Sequence, residues 1–139
     1  EVVISCPIEA DAIPLMRYMP MQFSGTSNTQ WMGDYYPRAF ALARAGQWEQ
    51  AMELFWQVHP ARLAGSAAAA ASVPGAGVIN RTAWKYQDWL AGFNGGPLRA
   101  PATRVPDRFM KQLRGALQAA GRPVTSDPDS AFIVGRHPA

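Results

Sequence analysis

Cysteine is almost absent from these 139 residues. Cys6 stands alone, which excludes an intrachain disulfide and a cysteine-based zinc cage. A chain with so little cysteine suits a reducing compartment, and a cytoplasmic location is the expectation. Neither His59 nor His137 has a second ligand at metal-binding spacing, and no carboxylate pair does either, so no metal and no cofactor is expected. Long apolar runs are missing as well. The alanine tract 67–71 is far shorter than the roughly 20 residues that span a bilayer. Charge is sparse at 17% of residues, and the net +3 comes from scattered Lys and Arg. No basic run with interleaved aromatics occurs, which favours a solvated surface over a nucleic-acid or membrane partner.

What is present is bulk for a core. Hydrophobic residues make up 48%, with five Trp, six Phe and four Tyr. These rings have to be buried somewhere, and a chain of this length can bury them in one domain. No internal repeat and no linker between independent domains interrupts it.

The opening Glu1–Ser5, EVVIS, reads as a fully buried strand. It has no lead-in and no initiator Met, so the sequence reads as the C-terminal portion of a larger enzyme. Ala10–Met19 reads as a short helix between Pro7 and Pro20, with Pro14 tolerable only in the first turn. Met21–Ser24 forms a second strand signal, and a polar loop follows. Strand, helix, strand, polar loop is the rhythm of a βαβ unit with a parallel sheet. Two strands do not make a sheet by themselves, so both edges need partners from outside this chain.

Everything afterwards reads as helix. Asp34 is a candidate N-cap for a helix over 35–45 that Gly46 ends. A second helix starts near Trp48, with Trp48, Met52, Phe55, His59 and Leu63 as its apolar stripe and Pro60 kinking or dividing it. Gln30–Tyr36 is rich in aromatics, read as packing. A third helix spans 81–93 and stops sharply at Asn94-Gly95-Gly96-Pro97. The fourth spans 106–120, with Pro106 at its first position, Phe109, Leu113, Ala116, Leu117 and Ala120 on one face, and Gly121 as the stop. In the tail after Gly121, only Ala131–Val134 has the composition to pack.

Several of these segments resemble one family. Phe23-Ser24-Gly25-Thr26-Ser27-Asn28 is similar to the last barrel strand and loop of the dihydrodipicolinate synthase / N-acetylneuraminate lyase family, where a Ser-x-Thr-x-Asn pattern follows an apolar strand. Ile4-Ser5 with Ile13-Pro14-Leu15-Met16 resembles the preceding strand and its short helix. Ala45-Gly46 followed by Ala51–Phe55 resembles the family's helix pair. Trp84-Lys85 through Gly95-Gly96-Pro97-Leu98-Arg99-Ala100-Pro101 resembles its closing Lys…Gly-Pro-x-Arg-x-Pro segment. The order and spacing of these pieces cover nearly the whole chain.

The resemblance implies an α/β fold: the C-terminal part of a (β/α)8 TIM barrel, its last two strands, plus extra C-terminal helices, the fragment itself being mostly α. Residues 1–33 would be the last two βα units, 34–121 the last barrel helix and the helical extension, and 122–139 an extended tail. The implied activity is that of a lyase or synthase (aldolase, dehydratase or dihydrodipicolinate synthase-like) acting on pyruvate or another 2-oxo acid through a lysine Schiff base. That lysine, and a proton-relaying tyrosine, lie on earlier strands, outside this chain. No catalytic residue is therefore expected here: Lys85, in a helix among aromatics, is read as a snorkelling stem, and Lys111, beside the apolar stripe of the fourth helix, as solvated. The implied partners are the 2-oxo acid substrate, the remainder of the barrel (an N-terminal part or a separate chain) and further copies in a homo-oligomer, typically a tetramer.

Barrel enzymes place their sites at the carboxyl ends of the strands. Substrate-binding candidates are accordingly Ser5, Cys6 and Glu9 after the first strand, and Gly25, Thr26, Ser27 and Asn28 after the second. They would hold a sugar-like or acidic substrate tail. Hydroxyl and amide side chains also cap helices and satisfy loop backbone, which is the competing use of these residues. Cys6 stands where the family usually has glycine, and a small buried thiol suits it better than a nucleophile. The rival from another class is a stand-alone helical module that presents Trp-rich faces to a protein partner without catalysis.

Overall fold

A computed structural model describes residues 2–6, 9–25, 30–71, 81–95 and 103–134. These are mostly helical: α1 (Glu9–Leu15), α2 (Tyr35–Arg44), α3 (Trp48–Ala71), α4 (Thr82–Leu90), α5 (Asp107–Ala119) and α6 (Ser130–Val134), with a 3-10 turn at Gln30–Met32 before α2. Contacts group the chain into two units, Glu1–His59 and Pro60–Ala139. The sequence boundaries at 33 and 121 fall inside these units, before α2 and after α5.

Glycine ends three of the helices in the same way. Gly46, Gly92 and Gly121 take positive φ of 76°, 104° and 70°. The next amide then bonds back to the preceding turn: Gln47 to Leu42, Phe93 to Asp88 and Arg122 to Leu117, at 2.9, 3.0 and 3.0 Å. Residues with a Cβ reach that angle only at a steric cost. Gly46 and Gly121 are the expected stops. The third helix ends earlier than expected, at Leu90, because Gly92 turns the chain before Gly95 is reached. Residues 96–101 of the expected stop lie outside the described residues.

In the first unit, α1 packs on α2. Ala12, Ile13, Met16 and Met21 are buried there, as are Trp31, Met32, Tyr36, Ala39 and Ala43. Trp31 thus packs, as its apolar neighbours require. α1 is shorter than 10–19, and Pro14 sits near its end rather than in its first turn. Asp34 makes no side-chain cap; its carboxylate accepts from Arg38 at 3.5 Å one turn on, on the exposed face. His59 sits against the rings of Phe55 and Trp56, with centroids 4.9 and 5.0 Å away.

The N-terminal expectation needs correction. No strand occurs among the described residues; Ser5 and Phe23 form one isolated bridge, which is parallel. Nor is the opening run buried: Val2 is 83% exposed, Val3 59% and Phe23 54%. A parallel strand is normally covered by helices on both faces and by neighbours on both sides. Among the described residues, one short neighbour is all that pairs with each segment.

α3 also departs from expectation. It runs unbroken through Pro60. Proline removes the amide that would bond to the Trp56 carbonyl, and both residues lie on the exposed side of the helix. Its buried positions are Ala51, Phe55 and Val58 in the first unit and Ala61, Gly65, Ala68 and Ala69 in the second, whereas Leu63 is half exposed.

The second unit is built on α4 and α5, which pack together. Met110, Leu113, Leu117 and Ala120 form the buried face of α5; Phe109 and Ala116 sit at its margin, and Pro106 is the N-cap. Gln87 of α4 is buried, and its amide donates to the Ala61 carbonyl at 2.8 Å, so the polar group is satisfied. Residues 122–134 are more than an extended tail. The Thr125 amide bonds to the Leu90 carbonyl at 2.8 Å, and α6 drives Phe132 to full burial against Tyr86 and Trp89.

Gly95 makes room for that ring. A Cβ at this position would lie 2.5 Å from the Phe132 ring and 2.8 Å from Trp89 Cβ. Gly95→Ala should therefore destabilise the protein by about 1–3 kcal/mol through overpacking, and Phe132→Ala by about 3–5 kcal/mol through a cavity. Urea denaturation monitored by tryptophan fluorescence measures both; a neutral Gly95→Ala would contradict this packing.

Candidate functional site at the carboxyl ends of two parallel segments

The two N-terminal segments run side by side in the same direction, joined through α1. Besides the Ser5–Phe23 bridge, the Gln22 amide donates to the Ile4 carbonyl at 3.2 Å. The Ile4 amide donates to the Gln22 side-chain oxygen at 2.8 Å, so a side chain serves where a ladder partner would. Parallel register brings both chains to their carboxyl ends together, at Cys6 and at Ser24-Gly25. There the Ser24 hydroxyl donates to the Cys6 carbonyl at 2.8 Å, and its oxygen lies 2.9 Å from the Tyr36 hydroxyl.

This geometry sorts the expected site residues. Ser5 is exposed and in the bridge, and Cys6 is half-buried with its carbonyl in the network. Gly25 is exposed beside Ser24. Glu9 opens α1, and its side chain lies outside what is described, as do Thr26, Ser27 and Asn28 altogether. The residues that sequence reasoning missed are Ser24 and Tyr36. A signal existed for Tyr36: it shares a buried row with Ala39 and Ala43 at helical spacing. A buried phenol needs a partner for its hydroxyl. Two open clefts of about 390 and 380 Å³ flank the start of α3, lined by Gly46 and Trp48 among others. Neither is lined by Ser5, Cys6, Ser24 or Gly25.

A second polar cluster lies in the other unit and is a clamp on residues 122–134. The Tyr86 hydroxyl donates to the Asp129 carboxylate at 2.6 Å, and Arg114 donates to the same carboxylate at 2.5 Å. Arg114 also donates to the carbonyls of Thr125 and Asp127 at 2.5 and 3.1 Å. Burial raises the Tyr86 pKa, and the bond to Asp129 and the charge of Asp129 raise it further. For Asp129, burial alone pushes upward, but hydrogen bonds from Tyr86 and Arg114 and the Arg114 charge outweigh it, so the net shift is downward. Every group in the cluster is engaged by another, which marks it as structural.

A lowered carboxylate pKa stabilises the fold above the unfolded-state value and loses that effect as pH falls through the folded one. Asp129 should thus contribute in full well above pH 3.8, its ordinary value, and progressively less in more acid solution. Tyr86 has the opposite sign: its contribution is present below pH 10.0 and is lost only at the alkaline extreme. Asp129→Asn should lower stability at neutral pH and flatten the acid limb of a stability–pH profile measured by urea denaturation. An acid limb as steep as that of the wild type would show that the clamp carries no linkage.

No protein-family model, curated protein or solved structure matches this chain.

Proposed function

We propose that this chain is the closing part of a (β/α)8 barrel enzyme similar to the dihydrodipicolinate synthase / N-acetylneuraminate lyase family. In this reading it contributes two barrel strands, the last barrel helix and a helical extension to a cytoplasmic, homo-oligomeric lyase or synthase. The enzyme acts on pyruvate or another 2-oxo acid. A lysine outside this chain attacks the ketone carbon; the ketone oxygen leaves as water, and the resulting iminium draws electrons from the adjacent carbon, so a bond there can form or break.

The supporting observation is the parallel bridge between Ser5 and Phe23, with apolar Val2, Val3 and Phe23 left exposed around it. A parallel pair joined through a helix, apolar yet uncovered, is what one edge of a larger parallel sheet presents. Lys85 and Lys111 are both exposed. Among the described residues no helix is long and apolar enough to cross a membrane. The alternative, a helical interaction module without catalysis, draws on the half-exposed Trp56 and Phe93. It leaves the parallel bridge without a role.

Borohydride reduction in the presence of pyruvate tests the proposal. In the complete polypeptide containing this sequence, peptide mapping should find a reduced pyruvyl adduct on one lysine outside residues 1–139. An adduct on Lys85 or Lys111, or none at all, would overturn it.

A further inference from the structure

We infer that Asn94-Gly95 is a site of spontaneous covalent modification, by deamidation and isomerisation of Asn94, and that the isoaspartate product unseats Phe132. This chemistry is independent of the Schiff-base reading above and needs only solvent water. The Gly95 backbone nitrogen attacks the Asn94 side-chain carbon Cγ; the new N–Cγ bond closes an imide ring, and the Cγ–Nδ2 bond breaks. Nδ2 leaves as ammonia, taking up the proton that the Gly95 nitrogen gives up. Water then opens the imide at either carbonyl. Opening at Cγ gives aspartate. Opening at the main-chain carbonyl gives isoaspartate, in which the chain runs on through the former side chain and is longer by one methylene.

Sequence and structure both place the reaction at this turn. Asparagine is among the thermolabile residues. The chain has Asn28, Asn80 and Asn94, and only Asn94 precedes a glycine, whose lack of a side chain leaves the attacking nitrogen unhindered. The Phe93 amide bonds back to the Asp88 carbonyl at 3.0 Å, and Asn94 and Gly95 follow in neither helix nor strand. Asn94 is exposed and Gly95 is buried. Ring closure is chiefly a turn of the Asn94 side chain toward its neighbour, so the exposed residue moves while Gly95 keeps its place.

The isoaspartate product does not fit the same packing. Gly95 is wedged where a Cβ would lie 2.5 Å from the Phe132 ring and 2.8 Å from Trp89 Cβ. The added methylene enters the main chain between this wedge and the Phe93 bond to Asp88. A close-packed interior takes up an extra carbon only by displacement. Trp89 belongs to α4, which packs on α5, whereas Phe132 rides on the five-residue α6, so Phe132 is the side that yields. Residues 122–134 then keep the Arg114 clamp but lose the ring that anchors them. Aspartate, by contrast, leaves the chain length unchanged and puts its charge on an exposed residue.

The complete polypeptide is held folded at mildly alkaline pH, with a second sample in urea, and peptide mapping follows each asparagine amide as it becomes a carboxylate. Isoaspartate is identified by its specific enzymatic methylation. Asn94 should be lost from the folded protein while Asn28 and Asn80 persist. Asn94→Gln, whose longer side chain closes its ring poorly, should stay intact. Amide hydrogen exchange across residues 122–134 should speed up in the aged wild type and keep the unaged rate in Asn94→Asp. Survival of Asn94 in the folded protein over the interval that converts it in urea overturns the modification site. Conversion with unchanged exchange across 122–134, or equally fast exchange in Asn94→Asp, overturns the unseating of Phe132 by the longer chain.

Discussion

Parallel strands are stable only within a covered sheet, and that requirement governs how residues 2–25 can exist. Among the described residues, the Ser5–Phe23 bridge pairs one edge of each segment, and Val2, Val3 and Phe23 stay exposed. Ala12 and Ile13 of α1, which packs on α2, are fully buried. The same register brings Cys6 and Ser24 together, where the Ser24 hydroxyl donates to the Cys6 carbonyl.

The second unit shows what a finished core looks like in the same chain. Tyr86, Trp89 and Phe132 bury their rings against one another, with centroid distances of 5.2–5.8 Å. Asp129 beside them is held by Tyr86 and Arg114. Burial of a ring such as Phe132 contributes about 1.5–3 kcal/mol, so the last segment is a working part of this core.

Sequence made the helix ends legible because glycine acts locally: Gly46 and Gly121 stop α2 and α5 by their own backbone freedom. Gly95 misled for the same reason. Its composition signals a turn, but Gly92 makes the turn, and Gly95 is needed for the absence of a side chain under Phe132. α3 was harder to read. It is apolar nearly all round, so periodicity does not select a face. The face that is buried carries small residues, Ala51, Ala61, Gly65 and Ala68, while Leu63 points outward. Small residues let neighbouring elements approach closely, and that advantage is invisible to a count of large apolar side chains. In the site, Ser5, Cys6 and Gly25 were reachable from strand-end logic. Tyr36 offered its place in a buried helical row as a signal, but its pairing with Ser24 joins positions that only the folded chain brings together.

Amide hydrogen exchange in the complete polypeptide addresses the open edges most directly. If residues 2–5 and 21–24 are strands of a larger sheet, their amides will exchange as slowly as those of α5. If they exchange as fast as the exposed amides around Gly25, the sheet does not exist and the barrel account fails.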